Sequence, residues 1–267
     1  VDSATIIDDG LKYSSVTEPD GRTMYERIAG RSSEYVLTNS GKDGSSTILS
    51  LALSKNFDFG LDASLSYAYT TSEDANPMTS AVAGSNYGNL AATDALNPGM
   101  TTSNYEVPHR FTLNLSYAVE LIDGLRTRFS LFGKASQGQP YSFTFERADR
   151  DFGDDNWNGS RQLLYIPTVD DPNVVYGANR DGDPFDQDAF NEFIESEGLT
   201  RGEITGRNAH NADWHTSFDL KINQEIPGFV DGHKGNAFLR RILLQHPIKI
   251  LIRQTNNFST SISLRNK

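Results

Sequence analysis

The residues best spaced for chemistry in this chain carry oxygen donors. Asp149–Gly159 reads D-R-D-F-G-D-D-N-W-N-G, and Asp154, Asn156 and Asn158 stand at alternate positions before Gly159. That is the first half of an EF-hand loop, whose alternate side chains converge on a hard cation through oxygen. The twelfth position from Asp154 is Tyr165, so the bidentate Glu is missing. Other carboxylates such as Asp151, Asp170 or Asp171 would have to complete the shell. The expectation is a weak calcium site at Asp154, Asn156 and Asn158, set against the plainer reading of a solvated acidic loop.

Other chemistry is poorly served. With 0 Cys there is no thiol nucleophile, no disulfide scaffold and no thiolate-bound metal. The histidines are His109, His210, His215, His233 and His246, and the spacing of His210 and His215 is no zinc pattern. Segment 40–46, S-G-K-D-G-S-S, has the residues of a phosphate loop in the wrong order and reads as a turn. Neither G-x-S-x-G nor H-E-x-x-H occurs. No catalytic residue, no bound organic cofactor and no enzyme activity are expected.

The charge is acidic, −11, which argues against nucleic acid as a partner. It is also uneven. Residues 240–267 hold six of the 24 Lys and Arg and none of the 35 Asp and Glu. The rest of the chain therefore carries 18 basic against 35 acidic residues. This divides it into residues 1–239 and a basic tail, 240–267. No run of apolar residues is long enough for a transmembrane helix, and Val1, Asp2 and Ser3 show no leader pattern.

The elements that must position any site are strands. In the run from Arg110, Phe111, Leu113, Leu115, Tyr117 and Val119 alternate with Thr112, Asn114, Ser116 and Ala118. Leu61–Thr70 repeats the pattern, with Leu65, Tyr67 and Tyr69 against Asp62, Ser64 and Ser66. So do Leu49–Leu53, Phe129–Leu131, Tyr141–Phe145 and Trp214–Ile222, with weaker runs at Thr5–Ile7, Lys12–Val16, Thr23–Ile28 and Tyr35–Thr38. Alternation alone does not separate a soluble β-sandwich, with a binding or adhesion role, from an outer-membrane barrel.

Connection lengths separate them. Tight turns follow Ser54 and Glu120, whereas polar excursions run from about Ser72 to Asn104 and from about Arg147 to Ala212. Structureless loops beyond about 12–15 residues are uncommon in compact soluble domains. Short turns at one end and long loops at the other suit an outer-membrane barrel. The runs Glu106–Val119 and Leu61–Ser72 exceed the roughly 9–11 residues a tilted strand needs to cross. Tyr69, Tyr105, Tyr117 and Tyr141 lie near strand ends, where aromatic girdles form.

On this reading Phe111, Leu113, Leu115, Tyr117, Leu65, Tyr67 and Leu131 face lipid, while Asn114, Ser116, Asp62, Ser64 and Ser66 face the lumen. The loop from Arg147 to Ala212 is then extracellular. It should hold a helix over about Phe185–Glu197, capped by Asp183 with Pro184 at its first position and ended by Gly198.

Several segments resemble TonB-dependent outer-membrane receptors of the Oar-like type. They are N-P-M-T-S at 76–80, S-N-Y-E-V-P-H-R-F-T-L-N-L-S-Y at 103–117, G-Q-P-Y-S-F-T-F at 138–145 and L-L-Y-I-P-T-V-D-D-P-N-V-V-Y at 163–176. F-D-Q-D-A-F-N-E-F-I-E at 185–195, R-G-E-I-T-G-R-N-A at 201–209, W-H-T-S-F-D-L-K-I-N-Q-E-I-P-G-F at 214–229 and G-H-K-G at 232–235 complete the likeness. It covers about Tyr25 to Leu239, in order and spacing, and matches the C-terminal part of that barrel.

The resemblance implies a barrel of about 22 strands closed around an N-terminal plug. Such a protein sits in the outer membrane of a Gram-negative bacterium and imports a large solute with energy from the TonB complex. The sequence here holds only roughly eight to ten candidate strands. It has no plug and no TonB-contacting region, so it corresponds to a piece of such a barrel. From Arg240 the likeness stops, and R-R-I-L-L-Q-H-P-I-K-I-L-I-R reads as divergent, as out of frame, or as a final strand through Ile248, Ile250 and Ile252.

Overall fold

A computed structural model describes residues 2–94, 96–145, 162–178, 182–229, 233–246 and 262–264. The chain is mostly β and every strand ladder is antiparallel. The weak N-terminal alternations are strands: β1 (Asp2–Asp8), β2 (Leu11–Thr17), β3 (Thr23–Arg27) and β4 (Tyr35–Asp43). β1 pairs with β4 and β2 with β3, outside the main sheet.

The main sheet follows at once, since only Gly44 separates β4 from β5 (Ser45–Asn56). β6 (Leu61–Asp74), β8 (His109–Ile122), β9 (Leu125–Ser136), β13 (His215–Pro227) and β14 (Lys234–His246) come next in space, each beside its predecessor. A short β7 (Thr101–Thr102) pairs with the end of β6. This is an up-and-down meander and it is open, with β5 and β14 at its edges. β14 runs without interruption across the 239–240 junction and pairs with β13 from Lys234 to His246.

One end of the sheet has tight connections. Gly60 turns the chain from β5 to β6 at φ +94, and a Cβ there would lie 2.5 Å from the Ala118 carbonyl oxygen. Only glycine meets both conditions. Asp123-Gly124 joins β8 to β9, with Gly124 at φ +69. At the third turn the Gly228 amide donates to the His233 carbonyl at 2.8 Å.

The other end carries the long excursions, and the described residues of each include regular structure. Residues 75–108 contain a helix that alternation could not announce, α1 (Ala83–Gly88), as well as β7. Residues 137–214 contain β10 (Pro140–Tyr141), β11 (Val174–Tyr176), α2 (Gln187–Ser196) and β12 (His210–Asn211). The last strand, β15 (Ile262–Leu264), pairs with β11.

The expected helix exists as α2, but its start differs from the expectation. Asp186 is the N-cap and accepts the Ala189 amide at 2.9 Å. Asp183 and Pro184 precede the helix because Pro184 bridges Ala178 and the Phe185 amide donates to the Gly177 carbonyl. That pairing keeps the chain extended up to the cap. Gly198, at φ +63, ends the helix as expected.

Burial is concentrated at the loop end. One core gathers Phe145, Leu164, Tyr165, Ile166, Val174, Phe185, Phe190 and Ile194, so α2 packs onto its own excursion. A second joins Ile6, Leu11 and Tyr25 of the N-terminal strands to Tyr87 of α1. The main sheet contributes to neither.

Candidate functional site

The strand registers settle which side chains share a face. Leu65 is opposite Leu113, Tyr67 opposite Phe111, and Ala63 opposite Leu115. Leu115 is in turn opposite Leu131, and Leu131 opposite Leu220. On the other side Leu53 meets Leu65 and Leu51 meets Tyr67. The period of two therefore assembles one continuous apolar face from β5 to β13.

Nothing in the described structure covers it. Leu51 is 62% exposed, Leu53 65%, Leu65 49% and Phe111 41%. Leu49 and Tyr117 extend the same face, at 66% and 38% exposed. Burying each would contribute about 1–2 kcal/mol in water, so leaving a whole face bare needs a reason.

The opposite face is polar by residue type. Asp62, Ser64, Asn114, Ser116, Asp219 and Lys221 border a trough of about 590 Å³ there, whose lining also takes in Ala63, Leu115 and Leu131. Arg128 donates to Ser116 Oγ at 3.1 Å, and Arg240 pairs with Asp219 at 3.2 Å. Two aromatic residues break the pattern: Phe132 also borders the trough, and Phe238 stands on the same face with the Lys221 ammonium 5.1 Å from its ring centre.

Aromatic rings collect towards both ends of the apolar face. At the loop end His109 lies beside Tyr67, Tyr69 and Trp214, with ring centres 6.1, 5.3 and 6.2 Å away. Tyr67 Oη is 2.8 Å from His109 Nδ1. At the turn end Phe57 and Phe59 pair at 5.4 Å, and Phe229 projects fully into solvent. Of the tyrosines expected near strand ends, Tyr69 belongs to the loop-end group and Tyr117 sits opposite Leu61 near the turns. Tyr141 packs against Phe143 and His210, and Tyr105 is 62% exposed.

The candidate calcium residues Asp154, Asn156 and Asn158 lie outside the described residues, as does Asp151. Asp171, one possible completing ligand, is fully engaged elsewhere. Its carboxylate accepts the Tyr165 hydroxyl at 2.8 Å and the Asn173 and Thr168 amides at 3.0 and 3.2 Å. Burial pushes that carboxyl up, but the Asn173 amide, the Tyr165 hydroxyl and Thr168 more than offset it, leaving it below the ordinary range. Burial, with the bond to Asp171, pushes the Tyr165 phenol up to about 12. Among the described residues no three His, Asp or Glu side chains are grouped to hold a metal ion. The histidines are dispersed: His109 and His210 pack against aromatic rings, His215 opens β13, and His233 serves a turn.

Two residues in the second excursion were not singled out by type or spacing. Arg207 and Asn208 are both only 7% exposed and are tied to the first excursion. In the sequence they appear only within R-G-E-I-T-G-R-N-A, whose surface polarity hides a buried guanidinium.

No family model matches the chain, and no curated protein or solved structure matches it either.

Proposed function

We propose that this chain is the strand-and-loop part of a TonB-dependent transporter of the Oar-like type, in the outer membrane of a Gram-negative bacterium. One observation carries the reading: a single meander holds an uncovered apolar face on one side and a trough bordered by polar side chains on the other. That is the arrangement in which strands meet lipid outward and a water-filled or plugged lumen inward. Strand length supports it. Strands of 12 to 14 residues extend about 40–45 Å, which at a tilt of about 45° covers the roughly 30 Å hydrocarbon core.

In this proposal the chain supplies a passive wall and recognition loops for energised uptake of a large solute, and carries no catalysis. The plug, the other strands and the contact with the TonB complex belong to the remainder of the protein. Asp154, Asn156 and Asn158 form a weak extracellular calcium site. Protection of Trp157 by millimolar calcium, abolished in Asp154→Ala, is the expected sign; equal protection in calcium and chelator would leave a solvated acidic loop.

The test of the main reading is fractionation of the gene product that carries this chain. It should sediment with outer membranes and need detergent for extraction. A stable monomer recovered in buffer without detergent would contradict the proposal and favour a soluble β-sandwich module.

A further inference from the structure

Both long excursions leave the same end of the sheet, and each has its own buried core. Nothing in their sequence separation of a hundred residues requires them to move together. The side-chain contacts between them are concentrated at Arg207 and Asn208, and one backbone bridge, Ala92 to Gln162, joins them besides. The Arg207 guanidinium donates to the Ala75 carbonyl at 2.7 Å, to the Asp74 carbonyl, and at 3.4 Å to the Thr101 carbonyl and the Asp74 carboxylate. Thr101 Oγ1 donates back to the Arg207 carbonyl at 2.9 Å.

Asn208 adds a second set. Its side-chain amide donates to the Thr102 carbonyl at 2.7 Å and to Asn104 Oδ1 at 2.6 Å. Its backbone amide donates to Ser142 Oγ at 2.8 Å, and that hydroxyl returns a bond to Asn208 Oδ1 at 3.2 Å. Asn208 reaches all of them from φ +54, a backbone conformation asparagine tolerates better than most residues.

From these residues, hydrogen bonds lead into both cores. On one side Thr205 donates its hydroxyl to the Phe143 carbonyl and its amide to the Leu164 carbonyl. Leu164 belongs to the core that holds α2. On the other side the chain runs from Ala75 to Asn76, whose side chain donates to the Asn86 carbonyl in α1. The Asn86 side chain closes onto Ser80 at 2.7 and 2.9 Å, and the next residue, Tyr87, is fully buried in the second core.

We infer that Arg207 and Asn208 form a latch that makes the described parts of the two excursions one cooperative body, so that local opening of one is tied to local opening of the other. The physical basis is that a buried guanidinium cannot release one carbonyl without leaving charge-assisted bonds unmade. Separating one excursion from the other therefore means breaking the whole set together, along with the bridge from Ala92 to Gln162. This inference concerns the excursions alone and holds whether the sheet's apolar face meets lipid or another apolar body.

The test is amide hydrogen exchange on the full gene product in detergent, comparing Arg207→Met and Arg207→Lys with the parent. The reporters make no bond to Arg207 or Asn208 themselves: the amides of Asn86 and Asn89 in and beside α1, and of Phe190 and Glu197 in and beside α2. In Arg207→Met both pairs should speed up by a common factor, about 10- to 100-fold, while β8 and β9 amides stay unchanged. Arg207→Lys keeps the charge with fewer donors and should give a smaller factor, again common to both. If the methionine variant also loses protection in β8 and β9, the lysine variant decides by the same comparison. Acceleration in only one excursion, by unequal factors, or in neither would overturn the latch.

Discussion

Tyr165 and Asp171 show how a single hydrogen bond stabilises a stretch of the second excursion that lies outside its short β10–β12 ladder. The phenol is 7% exposed and donates to a carboxylate already held by two backbone amides. Tyr165→Phe should loosen residues 162–176 by about 1–2 kcal/mol, read as faster proteolysis there with the sheet unaffected. The pH dependence has two signs. The Asp171 carboxyl is held below its ordinary value, so its contribution is complete above about pH 4 and fades as pH falls through the lowered value. The Tyr165 phenol is raised, so its contribution is complete below about pH 10 and is lost as pH climbs through about 12. Tyrosinate absorbance should therefore lose its latest-titrating step in Tyr165→Phe, while the raised titrations of Tyr13, Tyr141 and Tyr176 remain; an unchanged latest step in that variant would assign it elsewhere. At the first turn, Gly60→Ala should destabilise the β5–β6 hairpin by about 1–3 kcal/mol, because φ +94 and the Ala118 carbonyl both exclude a methyl group. Thermal melting measures that loss, and an unchanged midpoint would mean that the turn relaxes freely.

The strands were legible in the sequence because a period of two needs only local information. Leu61–Thr70 and the run from Arg110 announce their faces directly, and the registers match Leu65 with Leu113 and Leu115 with Leu131 as one face requires. α2 was legible for a similar reason, since Phe190, Phe193 and Ile194 recur at helical spacing. Its start was misjudged because Asp183-Pro184 satisfies the cap pattern as well as Asp186 does. The bridge from Pro184 to Ala178 that decides between them is a tertiary contact. α1 gives no such signal: A-G-S-N-Y-G is too short for a stripe, and Tyr87 is held by Ile6 and Leu11 rather than by helix propensity. The β1–β4 sheet and the Arg207 latch are equally nonlocal, so their partners are invisible to spacing. For the strands themselves, the faces predict unequal costs of charge. In a complete barrel Leu115→Arg should cost about 2–4 kcal/mol and Asn114→Arg close to nothing, measured by folding titrations in lipid. Equal costs would contradict the assignment of outer and inner faces.

At the scale of the whole molecule, the cores lie beside the sheet's loop end, while the sheet itself presents two uncovered faces of opposite character. A soluble protein of this architecture would hide the leucines of β5, β6, β8 and β9 beneath a second layer. Among the described residues both edges of the meander, β5 and β14, are also unpaired, as the proposed barrel would require of strands with further neighbours. The most direct measurement is therefore the environment of adjacent residues on one strand. Single spin labels at Leu115 and Asn114, on the gene product reconstituted in lipid, should report opposite surroundings. The label at Leu115 should be relaxed by oxygen dissolved in the bilayer and shielded from a water-soluble nickel chelate. The label at Asn114 should show the chelate's effect, or shielding from both agents where a plug fills the lumen. A Leu115 label relaxed by the chelate, or shielded from both agents as in a packed sandwich core, would contradict the membrane-facing sheet.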